Sequence, residues 1–194
     1  IIIFVGRLAE EKNIEFLIEV EKNLCKQNKA IKLLIVGDGP DRNKYEDLAK
    51  KYKITDQVIF TGKVPWEEVP CYYQLADLFV TASKTETQGL TVVEAMAGGV
   101  TPVCMDDDAF RTVVVDGLNG RLFKTQEECK KQILELFQNK DLCKQYANQA
   151  RIQAEHCSSA HYAESVLEVY RRAIKNKQEN MSWLMKLIKK LKRD

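Results

Sequence analysis

Three times in the first 62 residues an apolar run of strand length ends at a glycine and gives way to a helical pattern. The runs are Ile1–Val5 before Gly6, Ile31–Val36 before Gly37, and residues 57–60 before Gly62. Runs that are apolar at successive positions bury both faces of a strand, as parallel sheets covered by helices do. Further strands are expected near 77–81, 101–104 and 121–123, with helices near 13–28, 40–53, 67–74 and 89–98. The alternation predicts an α/β fold with a Rossmann-like, doubly wound parallel sheet of about six strands. After Phe123 the pattern is helical only, near 126–138, 140–155 and 159–178.

The densest chemistry follows the fourth strand, in Glu86-Thr-Gln88-Gly89-Leu90-Thr91-Val-Val-Glu94. Leu90, Val93, Met96 and Ala97 repeat at helical spacing, so a helix opens near Gly89. Its first N–H groups lack intrahelical partners and carry partial positive charge, and glycine lets a ligand approach the main chain, which makes an anion cradle. Glu94 lies about five residues further on, on the order of 7 Å beyond the phosphate position. A carboxylate there can accept both hydroxyls of a ribose, while Glu86 at the opposite end can grip sugar hydroxyls. Cations come from the first turn: Arg7 offers a planar fork to phosphate oxygens and Lys12 a point charge. Gly37-Asp-Gly-Pro40 ends another strand whose turn lines the same cleft. Taken as isolated residues, Glu86 reads more simply as a solvated loop residue and Glu94 as an exposed helix position, and spacing alone does not overrule that; the turns after the first two strands do.

Length and composition fit one globular domain: 194 residues, 45% hydrophobic, with 30 Lys and Arg against 28 Asp and Glu for a formal net charge of +2. Nothing in that balance demands nucleic acid. The six cysteines form no Cys-x-x-Cys pair and only two histidines are present, so a metal site is not expected and a reduced, cytoplasmic chain is. Asp106-Asp-Asp108 reads as a solvated loop, with a hard-cation site as the alternative. His156 and His161 fall in the helical region, away from the strand ends.

Together these pieces resemble the nucleotide-sugar-binding half of GT-B fold glycosyltransferases, specifically the retaining family 4, also called glycosyl transferases group 1. The resemblance runs in order through Val5-Gly6-Arg7-Leu8 with Glu11-Lys12, Val36-Gly37-Asp38-Gly39-Pro40, Val58 to Pro65, Tyr72-Tyr73 with Ala76 to Phe79, the two-glutamate segment, and Asp116-Gly117-Leu-Asn119-Gly120. It covers roughly residues 1–170. It implies a nucleoside diphosphate sugar as ligand, Arg7 and Lys12 on the diphosphate, Glu86 on the transferred sugar, the main chain at Gly89 and Leu90 on phosphate, and Glu94 on ribose. Gly6, Gly37, Gln88 and Thr91 complete the implied donor-binding set, and Gly62, Lys63 and Val64 edge the base. Arg7, Lys12 and Glu86 are the implied catalytic residues, with no metal or other cofactor. Two departures stand out: Gln88 where the family often has Phe, and Gly99-Val-Thr-Pro102-Val where Gly-x-Pro-Val is usual.

The resemblance also implies that 194 residues make one half of a two-domain enzyme, the acceptor-binding amino-terminal domain being the missing partner. Residues 1–178 are expected to form the donor domain and 179–194 a basic amphipathic tail. That tail, with Ser182 as a possible cap and Lys186, Lys189, Lys190, Lys192 and Arg193 on its polar side, suits either an anionic membrane surface at the inner face of the cell membrane or the absent domain. Alternative functions are a non-catalytic nucleotide-sugar-binding module, a glycoside hydrolase using Glu86 and Glu94, and a nicotinamide enzyme, although Gly37-Asp-Gly39 lacks the third glycine of the dinucleotide fingerprint.

Overall fold

In a computed structural model, which describes the backbone of residues 1–191 and side chains through residue 180, six parallel strands form one sheet in the order β3-β2-β1-β4-β5-β6. The strands are β1 (Ile2–Val5), β2 (Leu33–Val36), β3 (Val58–Gly62), β4 (Leu78–Thr81), β5 (Thr101–Met105) and β6 (Arg121–Phe123). Each coincides within two residues with an apolar run expected from the sequence. Successive residues go to opposite faces. Ile2 and Phe4, Leu33 and Ile35, and Leu78 and Val80 enter one core; Ile3, Leu34, Val36 and Phe79 enter the other. Period-two alternation with both sides apolar forces a three-layer arrangement.

The first face is covered by α1 (Ile14–Leu24), α2 (Arg42–Tyr52) and α6 (Gln126–Gln138), and the second by α3 (Val69–Gln74), α4 (Leu90–Ala97) and the later turns of α7 (Lys140–His156). Thr125 starts α6 by accepting from the Glu128 N–H. A one-turn α5 (Asp108–Arg111) follows β5 where a loop was expected, because the Asp107 carboxylate accepts from the Ala109 N–H and caps it. The rest of that acidic run is paired: Asp106 contacts Arg111 and Lys124, and Asp108 contacts Arg111. The Arg111 hydrogen bond holds the Asp106 carboxyl below its usual range.

Helix α1 carries one discordant residue. Glu21 sits in its apolar stripe, 1% exposed, and neither carboxylate oxygen has a hydrogen-bond partner. Burial pushes its pKa up to about 8, against partial relief from Lys32.

The chain divides into two compact units, 1–154 and 155–194. In the second, α8 runs Ser159–Leu191 without a break, so Ser182 lies inside a helix and caps no start. The His156 and His161 rings there meet edge to face at 5.4 Å. The basic side chains expected at 186–193 lie outside the described side chains, and residues 192–194 outside the described residues altogether.

Candidate functional site

The strand order reverses between β1 and β4: the chain after β1 leaves toward β2, and the chain after β4 toward β5. Crevices of this kind open at the carboxyl ends of the two central strands. The turn after β1 supplies Gly6, Arg7 and Lys12; the loop after β4 supplies Glu86 to Gly89 and leads into α4. The two are fastened together at the Glu11 carbonyl, which accepts from the Lys84 N–H at 3.0 Å and the Ser83 hydroxyl at 3.4 Å.

That fastening brings Lys12 Nζ to 3.0 Å from Glu86 Oε2, an ion pair of which each side chain is only about one-fifth exposed. Beside it lies a cavity of about 130 Å³ whose walls include Gly6, Lys12, Glu86, Gln88, Leu90 and Thr91. Gly89, at φ 61°, is the residue before α4, and no side chain caps the helix. The left-handed conformation is one that glycine adopts without strain, and it leaves the first turn of α4 open to the cavity. Arg7 is exposed and bound at 2.5 Å to Glu11, whose carboxyl is held low mainly by that hydrogen bond. Both cations therefore already have acidic partners.

A second cavity, about 520 Å³, shares Val5 with the first and contains Glu94, Tyr73, Trp66, Val69 and Pro70. Glu94 is exposed, with Oε2 at 3.0 Å from the Tyr73 hydroxyl. The two glutamates thus line adjoining cavities and have different partners. That favours two contacts along one extended ligand over two carboxyls flanking a single bond.

Gly37, Gly62, Lys63 and Val64 line neither of these cavities. The Gly6 N–H donates to the Val36 carbonyl and the Gly37 N–H to the Gly62 carbonyl; a Cβ on Gly37, at φ 134°, would overlap the Gly6 carbonyl. The turns after β1, β2 and β3 are stitched backbone to backbone. Lys63 is exposed and Val64 packs on the second core. Trp66, Val69 and Pro70 escaped sequence reasoning. Their available signal was the pair of prolines at 65 and 70, which delays α3 to Val69 and leaves Trp66 79% exposed. A larger depression of about 1130 Å³ along α6, between Arg121 and Asn139, contains none of these groups.

Residues 1–153 match the family model for glycosyl transferases group 1. The chain belongs to this family. Among curated relatives it is 36% identical over 168 residues to an alpha-monoglucosyldiacylglycerol synthase of Acholeplasma laidlawii, an alignment covering 87% of this chain and 42% of that protein. The corresponding synthase of Streptococcus pneumoniae is 34% identical over 68% of the chain and 30% of its own length. The chain thus spans less than half the length of these relatives. Among solved structures, TarM of S. aureus, crystallised with UDP and alpha-GlcNAc-glycerol, superposes with a TM-score of 0.81 at 25% identity over 88% of this chain and 34% of that one. The catalytic domain of cholesterol-alpha-glucosyltransferase from Helicobacter pylori gives 0.72 at 27% identity, over 81% of this chain and 98% of that one. The sheet is the Rossmann-like half of a GT-B glycosyltransferase.

Proposed function

We propose that this group 1 glycosyltransferase domain binds a nucleoside diphosphate sugar, with uridine diphosphate as the nucleotide, for transfer of a hexosyl group to an acceptor hydroxyl with retained anomeric configuration. One observation carries the reading: Gly6, Lys12, Glu86 and the open start of α4 surround a single cavity at the reversal point of the sheet. The UDP bound to TarM supports the choice of nucleotide.

In this reading the diphosphate lies between Lys12 and the first turn of α4, with Arg7 turning inward from Glu11. The sugar reaches Glu86, the ribose reaches Glu94, and the base extends past Val64 toward Trp66. Donor binding exchanges the Lys12–Glu86 ion pair for two new contacts, phosphate on the ammonium and sugar hydroxyls on the carboxylate. When the bond between the anomeric carbon and the diphosphate oxygen breaks, negative charge gathers on that oxygen, where Lys12, Arg7 and the helix amino terminus are already placed. These cations fill the role of a metal bridging the phosphates, so no metal is required. The acceptor site belongs to a second, amino-terminal domain, a division supported by the 42% of the relative that this chain covers.

Calorimetry of this chain with a uridine diphosphate hexose tests the donor site. Lys12→Ala is expected to weaken binding about tenfold, the scale of a lost charge-assisted hydrogen bond, and His161→Ala to leave it unchanged. Equal affinity in Lys12→Ala and the unsubstituted chain rejects the assignment.

For localisation, the reading is a peripheral protein on the cytoplasmic face of a membrane, held by the basic segment 181–194. The lipid in the name of the Acholeplasma relative supports it, and among the described residues no helix is long and apolar enough to cross a membrane. A 181–194 peptide should bind anionic vesicles, release them in high salt and ignore neutral ones. Equal binding to neutral vesicles would refute that role.

A further inference from the structure

Tyr73 is 2% exposed, on α3, with its ring tilted against Phe79. Its hydroxyl lies 3.0 Å from Glu94 Oε2 and 3.2 Å from the Thr91 carbonyl. A phenol has one proton to donate, and of these acceptors the carboxylate is the stronger. The Thr91 carbonyl also stands in the first turn of α4, where the helical ladder provides it with a donor. The hydroxyl therefore spends its proton on Glu94.

Glu94 is exposed, and a glutamate held by nothing else samples several rotamers at a surface. Here one oxygen is held by the Tyr73 hydroxyl, and the residue lines the larger cavity. We propose that Tyr73 is a positioning residue whose buried hydroxyl fixes the Glu94 carboxylate to receive the vicinal hydroxyls of a nucleotide ribose. The proposal rests on the reading of Glu94 as the ribose acceptor given above. Its advantage is preorganisation: the rotamer entropy of Glu94 is given up on folding and not on binding. Removing the hydroxyl leaves Glu94 open to water and Thr91 in its ladder, so Tyr73→Phe strands no buried acceptor.

The test compares uridine diphosphate with its 2′,3′-dideoxy analogue, titrated into this chain by calorimetry. The unsubstituted chain should prefer the ribose form, and Tyr73→Phe should shrink that preference roughly threefold to tenfold while leaving affinity for the dideoxy form within about twofold. In a Glu94→Ala background, Tyr73→Phe should change the preference no further. A lower melting temperature with an unchanged preference would show that the hydroxyl only braces α3 against α4, and would overturn the proposal. An unsubstituted chain that binds both nucleotides equally would reject the ribose assignment of Glu94 itself, and this proposal with it. If Tyr73→Phe does not fold, carbon-13 labelling of tyrosine in the unsubstituted chain gives the answer. The Tyr73 resonance beside the hydroxyl should move with uridine diphosphate and stay in place with the dideoxy form; the same response to both overturns the proposal.

Discussion

Glu21 on α1 and Glu94 on α4 occupy helices on opposite faces of one sheet, and their surroundings are reversed. Glu21 is fully buried with no partner; Glu94 is exposed, and its partner, Tyr73, is the buried member. A carboxyl sealed away from both water and donors keeps its proton and opposes the fold at high pH, whereas one anchored at the surface stays available to a ligand. The first arrangement bears on stability; the second is the one that the proposed donor site uses.

The sharpest way to break this contrast is to remove Glu21. Its folded pKa of about 8 lies above the ordinary 4.5, so the native state retains a proton that the unfolded chain has lost. The contribution to stability is intact below pH 4.5 and disappears as pH rises through 8. Glu21→Leu should therefore stabilise the chain by about 5 kcal/mol more at pH 9 than at pH 4, measured by urea unfolding at the two pH values. A gain equal at both would mean that the carboxyl is not the source.

Glu94→Ala should act mainly on binding, with uridine diphosphate bound about tenfold more weakly, while the Thr91 carbonyl at 3.2 Å takes over the Tyr73 hydroxyl and limits the loss of stability. Thr125→Ala, which removes the cap of α6 on the Glu21 face, should lose about 1 kcal/mol at either pH. This separates ordinary local destabilisation from the pH-linked kind. Glu86 stands between the two cases, largely buried yet paired with Lys12. Glu86→Gln frees that cation for phosphate, so uridine diphosphate alone should bind about twofold to threefold more tightly, the scale of a weak ion pair, while the preference for the sugar-bearing form over the bare nucleotide falls. Calorimetry with the two ligands reads both effects, and weaker binding of the bare nucleotide would contradict the ion-pair exchange.

The strands were legible because each is a nearly continuous apolar run, and a two-sided sheet demands little else. The order of turns along the chain put Lys12 and Glu86 on one cleft, but their direct ion pair was not an expectation from the sequence. The Tyr73–Glu94 contact was not legible: the residues are 21 positions apart on different helices, and a tyrosine at helical spacing reads as core. Glu21 was legible in principle, since it shares the spacing of Ile14, Leu17, Ile18 and Leu24, but periodicity reports which face a residue occupies and not whether anything there can receive its charge. Asp107 was hidden for a different reason, because an aspartate that starts a single helical turn looks the same as one dissolved in a loop.

The stitched turns after β1, β2 and β3 restrict how a site of this design can diversify. Any side chain at position 37 or 39 would run into the main chain of Gly6 or Leu8, so that side of the crevice is a fixed mould shared by whatever ligand occupies it. In the proposed donor site, discrimination among sugars and bases is then left to the parts of the rim that carry exposed side chains: Gln88 in the loop before α4, and the proline-bounded stretch around Trp66.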